Sequence, residues 1–238
     1  ASTGINNTLI GGLTGDALTT GSHNTALGQG ALKTDDLGSH TVAVGYGSLA
    51  SQNYATATNS FNTAVGANAG ENVTTGTDNT LIGALAGDAM TTGSQNTAVG
   101  MSAMSDAIVT GNDNTVVGMK AGFAMTSGAG NVIIGKAAGT TTTALTTGGN
   151  NIIIGLNART NAVDTNNSIV MGEAVSGQAN QNFTFGVGTT DSNIVFGATS
   201  ITAPSDQRYK EEITDSTAGL AFIKDLRPVT FKWKKEKD

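Results

Sequence analysis

Asn79-Thr80-Leu81-Ile82-Gly83-Ala84-Leu85-Ala86-Gly87-Asp88-Ala89-Met90-Thr91-Thr92-Gly93-Ser94-Gln95 decides the fold, because the chain starts the same phrase again at once, as Asn96-Thr97-Ala98-Val99-Gly100. A fixed period means that one supersecondary unit is repeated along the chain. The Gly that closes the motif recurs at Gly11, Gly28, Gly45, Gly66, Gly83, Gly100, Gly118, Gly135, Gly155 and Gly172. The steps between them are 17, 17, 21, 17, 17, 18, 17, 20 and 17 residues, which makes ten copies. The two long steps mark insertions, at residues 52–60 and 140–143.

Aligned columns give the unit its physics. The residue before the motif Gly is Ile10, Leu27, Val44, Val65, Ile82, Val99, Val117, Ile134, Ile154 or Met171. Three residues after the Gly, Ala dominates, from Ala31 to Ala158, with Thr14, Ser48 and Val175 as exceptions. Short β-branched runs bounded by Gly and Asn read as strands, not helices. The unit is therefore a strand of about four residues, a turn, a small-residue segment and a second turn, often Thr-Thr-Gly. One unit cannot bury its own apolar face. Stacking units at about 4.8 Å gives a continuous thin core. The expected fold is an all-β β-solenoid, or β-roll, rising roughly 45–50 Å over ten coils. The column before the Gly is expected to face that core, so that Val99→Asp would bury a carboxylate. The Ala column suits the close approach of a neighbouring chain. Asn24, Asn62, Asn79, Asn96, Asn114, Asn131 and Asn151 are expected to stack as a ladder of side-chain amides.

Composition agrees with a fibrous array. The 238 residues include 33 Gly but only 2 Pro, with 5% aromatic and 13% charged side chains, which is poor in what a globular enzyme uses. Gly lacks a three-residue period, so collagen is excluded. Cys is absent, and no apolar run approaches the ~20 residues of a membrane-spanning helix. Charge divides the chain sharply. Residues 1–205 carry 4 Lys/Arg and 11 Asp/Glu, a net −7, whereas residues 206–238 carry 8 and 7, a net +1. An acidic array argues against nucleic-acid binding.

The chain therefore divides into a repeat array over 1–175, a β neck over 176–205, and an α/β segment over 206–238. In the neck, Phe183, Phe185 and Phe196 alternate at strand spacing and are expected in the core. In the last segment, Asp215 or Ser216 caps an expected helix ending at Arg227-Pro228, and Val229 to Lys234 alternates as a strand. That segment is too short for an independent core. His23 and His40, the only histidines, fall in the column five before the motif Gly, beside Phe61, Asp78, Gln95 and Asp113. A column that tolerates every polarity reads as an exposed turn. No metal or cofactor is expected, although three chains could bring three imidazoles to one axis. Asp35 and Asp36, the one adjacent acidic pair of the array, read as a solvated loop and not as a glycosidase pair, so no activity on an external substrate is expected.

The Asn-Thr-Ala-Val-Gly and Ala-Gly columns resemble the β-roll repeats of trimeric autotransporter adhesin heads, and still more those of phage tail fibres. The resemblance covers about 175 residues and implies a homotrimer packed around one axis. The tail resembles a second family. Ala203-Pro204-Ser205-Asp206-Gln207-Arg208-Tyr209-Lys210-Glu211-Glu212-Ile213, followed by Leu226-Arg227-Pro228-Val229 and Phe231-Lys232-Trp233, is similar to the start of the endosialidase-type intramolecular chaperone domain. The family domain is longer, so this stretch is expected to be either a truncated copy or only the first part of one. The resemblance implies trimerisation, guided folding of the preceding fibre, and autoproteolysis between Ser205 and Asp206. Ser205 would be the nucleophile and Lys210, the lysine within the matched motif, its base; a desolvated amine can accept a hydroxyl proton. Together these resemblances imply a structural trimeric phage tail fibre located on the virion. Its expected partners are other tail or baseplate proteins and a glycan or protein receptor on the host surface, with no membrane insertion. The alternative is a trimeric adhesin on a bacterial surface.

Overall fold

A computed structural model describes residues 3–140, 144–188 and 190–198. They belong to the first of two units, Ala1–Ala203; the second is Pro204–Asp238. The described chain is all-β, a solenoid of ten turns that contains no helix. Each coil contributes one short strand to a single sheet. In chain order the strands are β1 (Thr8–Ile10), β2 (Thr25–Leu27), β3 (Gly38–Ser39), β4 (Val42–Val44), β5 (Thr58–Asn59), β6 (Thr63–Val65), β7 (Thr80–Ile82), β8 (Thr97–Val99), β9 (Thr115–Val117), β10 (Val132–Ile134), β11 (Ile152–Ile154), β12 (Ile169–Glu173), β13 (Asn182–Val187) and β14 (Thr190–Val195). All but β3 and β5 form one 12-stranded sheet in sequence order; β3 and β5 pair separately beside the first insertion.

The main sheet is parallel and in register from β1 to β13, and only β14 returns antiparallel. Along each coil the backbone bonds alternately to the coil on either side. Thr80 N–H donates to Asn96 O at 2.8 Å, Gly83 N–H to Val65 O at 2.8 Å, and Gly87 N–H to Ala103 O at 2.8 Å. Stacking thus satisfies the polar groups of turns as well as strands.

The motif Gly is required by close approach. Gly83 holds φ +132°, and a Cβ there would lie 2.7 Å from the carbonyl carbon and oxygen of Gly100 in the next coil. Other corners use the left-handed region with ordinary residues. The column before the Asn shows it: His23 (φ 62°), Phe61 (49°), Asp78 (59°) and Gln95 (60°). These side chains are exposed, as the sequence predicts.

Alternation within the strand reverses one expectation. The Asn at the strand start is buried, so the side-chain period of two turns the next residue out, the third in and the fourth out. Ala98, Val116, Ile133 and Ile153 are fully buried. Val99, Val117 and Ile154 face outward, half-buried, and Ile82 and Ile134 are exposed. The column before the Gly therefore covers the outside of the sheet, not the core. The Ala column is corrected too. Ala31, Ala69, Ala86, Ala103, Ala121, Ala138 and Ala158 are all fully buried within their own chain.

The core fills by volume exchange between two positions of one coil. In most coils a large strand residue faces a Gly four residues past the motif Gly, and a strand Ala faces Leu or Met there; Ala64, with Gly70, departs from this, and Leu49 and Leu81 of the coils on either side fill that space. Leu81 goes with Gly87, where an added Cβ would sit 2.8 Å from Leu81 Cδ2. Val116 similarly goes with Gly122, and Ile133 with Gly139. Ala26, Ala43 and Ala98 go with Leu32, Leu49 and Met104, all buried. A close-packed interior demands this complementarity.

β13 and β14 are six residues each, longer than the array strands, and extend the same sheet. Phe183 and Phe185 do not enter the core. Asn182 and Thr184 face inward, while the two rings lie on the outer side, half-buried, with centroids 4.9 Å apart. Phe196 is 46% exposed. Their register, Ile169 with Phe183 and Met171 with Phe185, continues the outward columns of the array.

Candidate functional site

Three features of the described surface and interior bear on function: an outward apolar stripe, a buried amide ladder, and one place where that ladder is broken. The stripe follows from strand register. Ile10, Leu27, Val44, Val65, Ile82, Val99, Val117, Ile134, Ile154 and Met171 are successive partners across the sheet, so their side chains line up along the stack. A continuous apolar stripe along a whole molecule exceeds what an isolated soluble surface ordinarily shows.

The ladder runs inside, along the start of the strands. Asn79 Oδ1 accepts the backbone N–H of Asn96 at 3.0 Å, and Asn96 Oδ1 accepts that of Asn114 at 3.0 Å. Asn114 and Asn131 continue it to Asn131 and Asn151, and Ser168 N–H ends it on Asn151 Oδ1. Each Nδ2 donates to a turn carbonyl of the following coil, as Asn79 does to Gly93 O and Asn114 to Gly128 O, both at 2.9 Å. The expected amide ladder is therefore present. Every rung is buried, and its amide supplies bonds that neither water nor regular sheet pairing could supply there.

At the first insertion the ladder breaks. Thr41 stands where every other coil but the last, which has Ser168, carries Asn, and it has no amide to pass on. Ser60 Oγ meets the Asn62 N–H instead, at 3.3 Å, and also bonds Thr41 Oγ1 at 2.6 Å. Leu18, Val73, Met90, Met125 and Leu145 each stand three residues before a turn Gly and fill the core. Asp35 takes that place before Gly38 and is fully buried. The reading of Asp35 as a solvated loop residue is thus overturned: the position belongs to an inward column. Its carboxylate accepts Gly38 N–H at 2.9 Å and Gln52 Nε2 at 2.6 Å. Gln52 Oε1 accepts from Asn62 Nδ2 at 2.8 Å, and Tyr54 OH donates to Gly76 O at 2.9 Å. Burial raises the Asp35 pKa above 3.8, opposed by the Gln52 bond and reinforced by the nearby Asp36 charge. Burial, with the Asp35 charge second, pushes the Tyr54 phenol well above 10.0. The neighbouring Asp36 is half-buried and its Oδ1 meets no partner. No basic group takes part in this buried network, which works as a polar plug.

His23 and His40 stack with ring centroids 4.9 Å apart, and Phe61 follows at 5.3 Å from His40. Asn6 holds His23 at 3.1 Å and Asn59 holds His40 at 3.1 Å. Among the described residues no group of three metal-ligating side chains converges. The self-cleavage residues implied by resemblance, Ser205, Asp206 and Lys210, lie outside the described residues, as do the helix and strand expected after them. The plug was missed from sequence, although the breaks in two columns, Thr41 for Asn and Asp35 for an apolar residue, were there to be read.

Comparison with known proteins finds one family in the tail of the chain. A family model described as chaperone of endosialidase matches residues 205–238. No curated protein matches the chain. No solved structure matches it either.

Proposed function

We infer that this chain is part of a homotrimeric bacteriophage tail fibre that contributes to host attachment and folds under the direction of the chaperone segment that follows it. The observation that carries this reading is the order of two parts: an in-register β-solenoid with an uncovered apolar stripe, then the chaperone-of-endosialidase match at 205–238. Three copies turning their stripes to one axis would remove those side chains from water, at a gain of about 25 cal/mol per Å². Parallel pairing of distant segments is slow, and a repeating stripe offers many near-equivalent registers between chains. A trimeric seed at the C-terminal end would align three chains before they zip. The match favours a tail fibre over a bacterial surface adhesin, because it supplies such a seed.

Release of the seed would leave the fibre kinetically trapped. In this reading Ser205 is the nucleophile for scission of the Ser205–Asp206 bond, and the Lys210 amine serves as its base. Mass spectrometry of a chain carrying the whole family domain tests it. The wild type should give a product ending at Ser205, and Ser205→Ala should remain intact yet trimeric. A wild-type chain intact across that bond, or a Ser205→Ala chain still cut there, contradicts the cleavage.

A further inference from the structure

A cleft of about 230 Å³ crosses the first four coils, from Leu13 to Glu71, just past the end of the strands. It exists because three small residues coincide. Gly30 and Gly47 occupy the column two past the motif Gly, between Leu13, which closes one end of the cleft, and Asn68, whose Oδ1 lies over Gly47, and Ala50 leaves open the space between Lys33 and Glu71. An added Cβ on Gly30 would meet nothing within 4 Å. Over this bare floor stands Tyr46, 61% exposed. Tyr46 is the one aromatic residue in its column, which otherwise runs Gly12, Gln29, Ala67, Ala84, Met101, Met119, Lys136, Leu156 and Glu173. Gln29 and Lys33 supply donors at one side and Glu71 an acceptor at the other.

We propose that this cleft binds a single neutral pyranose ring of a glycan. The C–H face of a pyranose is flat and apolar, and it packs on an exposed phenol ring. Its rim is hydroxyl groups, which need donors and acceptors of the kind Lys33, Gln29 and Glu71 present. The volume lies below the ~300–1,000 Å³ of drug-sized pockets, which fits one ring and not a folded peptide or a nucleotide. Charge excludes polyanions: residues 1–205 carry a net −7, and the lone cation of the cleft is matched by Glu71. The proposal rests on the attachment half of the function above and adds to it a place and a ligand class.

The test is saturation-transfer NMR and calorimetric titration of the full chain with methyl β-glucopyranoside, methyl β-galactopyranoside and N-acetylglucosamine. At least one should bind with a Kd of about 1–10 mM. Tyr46→Ala should weaken it at least tenfold and Tyr46→Phe should retain it. Gly30→Leu should abolish it by filling the floor. That change suits the backbone, since Leu13 and Leu85 hold the same column at φ 58° and 59°, against 69° at Gly30. Met101→Ala, in the Tyr46 column three coils on, should bind as the wild type does. Thermal melting confirms that each variant is folded, and sedimentation of the same samples tests the fibre reading separately. Absence of binding by all three sugars overturns the proposal, as does unchanged binding by folded Tyr46→Ala or Gly30→Leu.

Discussion

The coils from Asn79 to Asn151 and the pair around the first insertion solve the same problem with different chemistry. In the regular coils each rung is one neutral amide, bonded to the coil on either side, beside an apolar column of Met90, Val109, Met125 and Leu145. Around the insertion, five side chains, Asp35, Thr41, Gln52, Ser60 and Asn62, share that task, and one of them is a carboxylate. A repeat can absorb extra residues only if the groups they displace find new partners. The regular solution is stiff and insensitive to pH. The irregular solution tolerates a step of 21 residues in place of 17, four more than a regular coil, but carries an ionisable group inside the core. Buried polar networks of this kind add little stability against an apolar replacement, and their removal one member at a time is costly.

The comparison can be broken at its strong side first. Gly83→Ala places a methyl against Gly100 in a backbone conformation that Ala avoids, so two coils must separate. The expected loss is more than about 3 kcal/mol, read as a large drop in melting temperature. An unchanged melting temperature would mean that the coils are not in the close contact described. Asn114→Ala removes one rung and strands the backbone N–H of Asn131 and the carbonyl of Gly128. Two orphaned groups cost about 2–5 kcal/mol together. Denaturant titration measures this, and a loss below 1 kcal/mol would show that the ladder adds nothing beyond the sheet.

The weak side gives the smallest and most specific effect. The folded-state pKa of Asp35 is raised above its ordinary 3.8, so the folded chain binds that proton more tightly than the unfolded chain does. Its contribution to stability is complete below pH 3.8 and is lost as pH rises through the raised value. Asp35→Asn should therefore make the decline in stability above about pH 4 shallower, leaving the share that Asp88 and Asp191, also raised by burial, contribute. Melting curves at several pH values decide it. A wild-type decline that survives the substitution undiminished assigns the pH dependence elsewhere.

Much of this was legible in the sequence, for a physical reason. A solenoid writes its period directly into the chain, so the coil count, the parallel strands, the Asn ladder and the exposed turn column containing His23 and His40 all follow from aligned columns. The facing of a three-residue strand did not follow. In Thr97-Ala98-Val99 the large apolar residue looks like core and the Ala like filler, yet the buried Asn96 fixes the alternation the other way. That small inward residue is balanced by Met104, and the larger Leu81 by Gly87, a compensation visible only once the coil is closed. Asp35 was misread because charge outweighed column position, although its place three residues before Gly38 matched Leu18 and Val73. The chemistry implied at Ser205 and Lys210 came from resemblance, outside the described residues.

The correction of the strand facing sharpens the central claim, which is that the outward stripe from Ile10 to Met171 is covered by two further copies of this chain. Sedimentation equilibrium tests it most directly, on the wild type and on Val99→Asp. The stripe residue Val99 is not in the core of its own coil, so the variant should keep its β-rich circular dichroism. The wild type should sediment at three times its chain mass of 23.8 kDa, and the variant should dissociate toward one. A wild type that is monomeric and natively folded at micromolar concentration would contradict the claim.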